Sequence, residues 1–141
     1  FICFFNLNTI FANNNLYSPY NLNILNLSVK KPEHLSKGSI SLGEKIFKSR
    51  KVNCLSCHEA PLPEEKFQGN VGPSLSGVGS RYNKDEIRIR IIDAKKVNAE
   101  TIMPSYFKKF NYPRTPEKFL GKTILQVEEV EHLVEYLYSL K

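Results

Sequence analysis

The run Cys54-Leu55-Ser56-Cys57-His58 restricts this 141-residue chain more than any other stretch. Two thiols separated by two residues are too close to staple distant parts of a fold, so they serve a metal, a redox dithiol or the attachment of a haem. The His that follows directly favours the last of these. Each thiol adds to one vinyl group, and the adjoining imidazole reaches the iron from the proximal side. A zinc half-site would need a second Cys/His pair, and a thioredoxin-like motif a βαβ context; neither is found. His34 and His132 stand alone and read as surface residues rather than ligands.

An electron-carrying haem iron needs a sixth ligand, and the chain has one methionine to offer, Met103. A lone Met is more often plain packing. This one lies in Thr101-Ile102-Met103-Pro104-Ser105-Tyr106, an irregular loop well C-terminal to His58, which is the expected place for a distal ligand. A thioether there raises the reduction potential, and two protein ligands leave no open position, so outer-sphere electron transfer is expected rather than chemistry at the iron. In the Gly/Pro-rich run Gly69 to Gly77, glycine permits close approach of backbone. The Pro73 carbonyl is the expected acceptor for His58 Nδ1–H, which would orient the ring and strengthen it as a ligand. On spacing alone this loop reads equally well as ordinary surface.

The chain has room for one domain. Its 20 Lys and Arg against 14 Asp and Glu leave +6, a diffuse excess that suits acidic partner surfaces and is not a nucleic-acid footprint. Residues 1–12 are apolar and aromatic, give way abruptly to Asn13-Asn14-Asn15, and read as a truncated signal peptide ending after Ala12. Its removal takes away Cys3, the third cysteine, and so no disulfide framework is available. The stretch is too short to span a bilayer, which takes about 20 residues, so no membrane span is expected in the mature chain. Haem attachment to this motif also takes place outside the cytoplasm in bacteria, which points to the periplasm. Residues 13–37 read as an extended N-terminal arm and 38–141 as the domain. The arm holds too many apolar side chains (Tyr17, Tyr20, Leu22 and Leu25 among them) to be fully solvated, so it lies against its own domain or a partner.

Within the domain, Ser41-Leu42-Gly43-Glu44 has the form of a capping box opening a first helix, with Leu42, Ile46 and Phe47 as its apolar stripe. A second helix is signalled at Asn83-Lys84-Asp85-Glu86, but Ile87-Arg88-Ile89-Arg90-Ile91 alternates as a strand would, and periodicity does not decide between them. The last helix is the clearest. Val127, Val130, Leu133, Val134, Leu137 and Leu140 share helical spacing, with Glu128, Glu129, Glu131 and Glu135 on other faces. Long Gly/Pro loops between the helices are tolerable only if they wrap something apolar, as a haem is.

Taken together, these segments resemble SoxX, the monohaem cytochrome subunits of SoxAX complexes in bacterial thiosulfate oxidation. The likeness runs from Asn53 to His58, through Gly69-Asn70-Val71-Gly72-Pro73-Ser74-Leu75-Ser76-Gly77-Val78-Gly79-Ser80-Arg81-Tyr82 and Thr101 to Tyr106, to Gly121-Lys122-Thr123-Ile124-Leu125, about residues 39–141 in all. It implies an all-α, class I cytochrome c-like fold, with helices and long loops around one covalently attached haem c. The resemblance maps haem binding onto Cys54, Cys57, His58 and Met103, the last two as iron ligands. It also implies a heterodimer with a monohaem or dihaem SoxA, transient contact with the carrier SoxYZ, and a soluble cytochrome as electron acceptor. In such a complex the catalytic cysteine belongs to SoxA, so this chain carries no catalytic residue and is not an enzyme alone. A free-standing respiratory cytochrome c is the alternative. Gln126 stands where the family tends to place a capping Thr, and Thr123 where it places Pro, which implies a weaker cap on the last helix.

Overall fold

Two helices far apart in sequence meet at a glycine, and that crossing organises the rest. The computed structural model describes residues 16–141, so the expected signal peptide over 1–12 and the first three residues of the arm lie outside the described part. Helix α1 (Ile40–Phe47) packs along α4 (Val127–Ser139). A Cβ on Gly43 would overlap the His132 carbonyl oxygen, so only glycine lets the two backbones come this close. The face of α1 turned to α4 therefore carries Gly43 and Phe47, both buried, and Leu42 is left outside at 46% exposure. This corrects the expected stripe: at the crossing, absence of a side chain is what packs.

The start of α1 also differs from expectation. Its cap is Ser39, whose hydroxyl accepts from Leu42 N–H (3.4 Å), rather than Ser41. His132 explains the earlier start. Its Nδ1 accepts from Ser39 N–H (2.9 Å), satisfying a backbone donor just ahead of the helix. This histidine is half-buried between α1 and α4, while His34 is exposed.

α4 buries Val130, Leu133, Val134 and Leu137, as its periodicity predicts. Its start is closed by Glu129, whose carboxylate accepts from Gln126 N–H (2.7 Å), so a cap forms without the Thr. Two of its glutamates are not on solvent faces. Glu131 and Glu135 are buried, because Arg88 and Lys84 reach them from the neighbouring helix.

That neighbour, α3 (Lys84–Asp93), is a helix, with Asn83 and Glu86 forming a reciprocal capping box. The ambiguity in its sequence has a physical cause. Ile87, Ile89, Ile91 and Ile92 are all buried, and so are Arg88 and Asp93, so the helix is enclosed on nearly every side and has no solvent stripe to set a period. A short helix α2 (Val78–Arg81) precedes it.

Residues 16–37 pack on this framework. Strands β1 (Leu22–Asn23) and β2 (Ser28–Val29) form a small antiparallel hairpin, with β2 against α3. Tyr17, Tyr20 and Val29 are buried, whereas Ile24, Leu25 and Leu27 near the hairpin tip are exposed. Each buried tyrosine anchors to a carboxylate: Tyr17 hydroxyl donates to Asp93 (2.6 Å) and Tyr20 hydroxyl to Glu131 (2.9 Å). Among the described residues, no helix is long and apolar enough to cross a membrane.

Asp93 also accepts from Ser105 hydroxyl (2.6 Å), with Lys108 Nζ at 3.7 Å. Burial pushes its carboxyl up, but the hydrogen bonds from Ser105 and Tyr17, together with Lys108, outweigh that and hold it below the ordinary carboxylate value. A carboxyl lowered in the folded state stabilises fully above its unfolded value, about 3.9, and loses that contribution as pH falls through the folded value. Asp93→Asn is therefore expected to cost about 1–3 kcal/mol at neutral pH and to flatten the acid limb of stability below about pH 4. Denaturant midpoints recorded from pH 7 to pH 2 check both; an unchanged acid limb would count against the assignment.

Candidate haem-binding site

The motif folds into a single turn. Cys54–Ser56 form a 3-10 turn in which both Cys57 N–H (3.1 Å) and His58 N–H (2.9 Å) bond to the Cys54 carbonyl. Asn53 enters it with left-handed backbone (φ 56), a conformation Asn tolerates better than most residues. Both thiols and the imidazole are thus presented by five consecutive residues.

The glycine-rich loop lies directly over this turn. Gly69 N–H bonds to Leu55 O (2.8 Å), Gly72 N–H to Cys57 O (2.7 Å) and Leu75 N–H to Glu59 O (2.8 Å). Gly72 sits against the His58 ring so closely that a Cβ would overlap it. Pro73 O is 2.8 Å from His58 Nδ1. A carbonyl only accepts, so Nδ1 carries the proton and Nε2 is left with its lone pair available for a metal. Gln68 braces the preceding loop, its side chain accepting from Ala60 N–H (2.6 Å) and donating to the carbonyls of Leu62 and Glu65 (both 3.0 Å).

The methionine loop is held from another direction. The last carbonyls of a helix lack helical partners; here Ile91 O and Ile92 O accept from Tyr106 N–H and Phe107 N–H (both 3.1 Å). Ser105 bonds Asp93 at the end of the same helix. Tyr106 hydroxyl donates to Val52 O (2.8 Å), two residues before Cys54, and so ties this loop to the attachment turn. Met103 is half-buried, its N–H bonded to Thr101 Oγ1 (3.1 Å). Of the aromatic residues that follow it, Tyr106 and Phe107 are core and Tyr112 is exposed.

Cys54, Cys57, His58, Pro73 and Met103 all line one cavity of about 430 Å³. Its remaining wall is largely apolar, drawn from every helix: Phe47 of α1, Val78 of α2, Ile87 and Ile91 of α3, Leu133 and Leu137 of α4. Such a chamber fits a large apolar ring that is anchored through two thiols and offered one imidazole nitrogen and one thioether sulfur. It fits the competing chemistries poorly. Burial pushes the Cys54 thiol up to about 12, with the Tyr106 hydroxyl acting the other way, whereas a redox dithiol needs a depressed value. Among the described residues, no three His, Cys, Asp or Glu side chains converge to hold a metal ion. Sequence reasoning missed Asp93, Gln68 and the Tyr106 to Val52 bond, because each joins segments whose proximity only the fold creates.

Known proteins place this architecture. The cytochrome c family model matches residues 40–141. A chain in the crystal structure of SoxXA from P. pantotrophus superposes with a TM-score of 0.76 at 27% identity, covering 86% of this chain and 94% of that one. No curated protein sequence matches significantly. With the match running from α1 through α4, the chain belongs to the cytochrome c family and carries covalently bound haem c.

Proposed function

We propose that this chain is the SoxX-type electron-transfer subunit of a SoxAX complex, taking up electrons released when thiosulfate is oxidatively coupled to a carrier cysteine. The observation that carries it is the cavity uniting Cys54, Cys57, His58 and Met103 in a fold shared with SoxXA. When bound, the haem supplies reversible one-electron chemistry. Cys54 and Cys57 would anchor it; His58, held by the Pro73 carbonyl and Gly72, would offer Nε2 to the iron, and Met103 would offer its thioether sulfur. The surrounding aliphatic side chains exclude water. With both cysteines committed to attachment, the described residues hold no thiol left to act as a nucleophile, and the catalytic cysteine falls to a SoxA-like partner. SoxYZ and a soluble cytochrome acceptor are the transient partners. Attachment chemistry and the apolar N-terminal segment support export to the periplasm through a signal peptide.

Met103→Leu is expected to keep the haem on the polypeptide but abolish the thioether-to-iron charge-transfer band of the oxidised protein and lower its potential. Survival of that band would remove Met103 as ligand. Co-expression with a SoxA-like chain should yield a stable heterodimer; a chain that stays monomeric while remaining a competent carrier would favour the free-standing reading.

A further inference from the structure

The segment that leaves the methionine loop is held on alternate residues by the beginning of the N-terminal arm. Lys109 N–H bonds to Leu16 O (3.0 Å). The Phe107 ring meets the Tyr20 ring at right angles, with centroids 5.0 Å apart. Ser105 is reached through Asp93, one of whose carboxylate oxygens accepts from the Ser105 hydroxyl and the other from the Tyr17 hydroxyl (both 2.6 Å). Asp93 ends α3 on one side of the loop and Ser105 lies on the other, so their bond closes the neck of a loop that carries Met103. Tyr17, Asp93, Ser105 and Phe107 are all buried, and none of them lines the haem cavity, so the haem takes no part in these contacts.

A thioether is a soft, neutral ligand, so its hold on oxidised iron depends on how firmly its loop is kept in place. Opening of such a loop is a local event with a free energy of its own, below that of global unfolding. We infer that the arm is a clasp on this loop, with Tyr17 as the positioning residue that acts through Asp93 and Ser105 to keep Met103 on the haem iron. Arm and loop are seated on each other at Leu16, Tyr17 and Tyr20, so release of the loop undoes the Tyr17 to Asp93 bond as well. Tyr17 touches neither iron nor haem; it sets how often the sixth position opens. The inference rests on the reading of Met103 as axial ligand and is independent of the SoxAX assignment, since it is read out on the isolated haem protein.

The test is titration of the oxidised, full-length holoprotein with imidazole, followed by loss of the thioether-to-iron band. Imidazole reaches the iron only when Met103 leaves, so its apparent affinity reports the population of the open loop. Y17F keeps the ring, removes only the donor, and is expected to retain the band at rest but to bind imidazole about tenfold more tightly, as for loss of one hydrogen bond to a charged group. S105A, which frees the loop end of the same chain of bonds, carries the same expectation and serves if Y17F yields no holoprotein. Because both act through one carboxylate, Y17F/S105A should gain much less than the product of the two single effects. S39A loses a helix cap remote from the loop and should stay within about twofold of the unaltered protein. Unchanged imidazole affinity in Y17F would overturn the inference. So would S39A gaining as much as Y17F, which marks a general softening, or effects of Y17F and S105A that simply multiply. Absence of the band from the unaltered protein would bring down the axial assignment and the clasp with it, whereas a band that is present beside an unresponsive Y17F brings down the clasp alone.

Discussion

Arg88→Ala is expected to destabilise the holoprotein by about 3–5 kcal/mol, the range for stripping one partner from a buried ion pair. Arg88 is 2% exposed and sits at a junction of three segments. Its Nε and Nη2 bond the two oxygens of Glu131 on α4 (both 2.9 Å), and Nη1 donates to Val29 O of the hairpin (2.7 Å) and to Asp85 (2.6 Å). Glu131 in turn accepts from Tyr20. Removing the guanidinium leaves a buried carboxylate with a tyrosine hydroxyl and no cation, and takes the Arg88 donor from the Val29 carbonyl. Guanidinium chloride titration followed by far-ultraviolet dichroism gives the loss. A double variant, R88M with E131Q, should recover part of it, because the penalty lies chiefly in the unpaired charge. A loss under 1 kcal/mol for Arg88→Ala would show that solvent reaches Glu131.

Gly43→Ala should be nearly as damaging, although it adds a single methyl group to a helix and alanine is the better helix former. That methyl would overlap backbone of α4 at His132 and press on Tyr136, so the helices have to separate. Overpacking of this kind costs about 1–3 kcal/mol, and because the obstacle is backbone the upper end is expected. For a domain this small the melting temperature should fall by about 10 °C or more. Leu42→Ala, next in sequence but exposed, is the control and should change stability by no more than about 0.5 kcal/mol. Equal melting of the two variants would mean that α1 and α4 adjust freely at their crossing.

The two results bear on how much the sequence discloses. Cys54, Cys57, His58 and Met103 stand out in the sequence because haem-ligand chemistry demands particular residue types at short spacing, and the fold brings all four to one cavity; α4 is legible because it has a solvent side to set against its buried one. Gly43 escapes pattern reasoning, which counts apolar side chains such as Leu42 and has no way to score the benefit of lacking one. Arg88 was hidden inside an alternating Ile/Arg run, and Glu131 inside an acidic helix face. Each charged residue is buried only because the other is there, a fact belonging to neither segment alone. The hairpin over 22–29 was missed for a similar reason: its strands are two residues each, too short for a period, and its position is set by the Tyr20 and Val29 contacts with α3 and α4.

The glycine-rich loop that covers His58 and the loop that presents Met103 are tied to rigid neighbours at several points each. Gly69, Gly72 and Leu75 fasten the first to the attachment turn, while Tyr106, Phe107 and Ser105 fasten the second to the end of α3. An exchange of one electron moves no atoms by itself; its speed is limited by how far the surroundings must rearrange for the new charge. If His58 and Met103 ligate the iron as proposed, supports already hydrogen-bonded to fixed backbone would leave them little distance to travel and would keep the reorganisation energy low before any partner arrives. The protein is thus built to stay still while its charge changes.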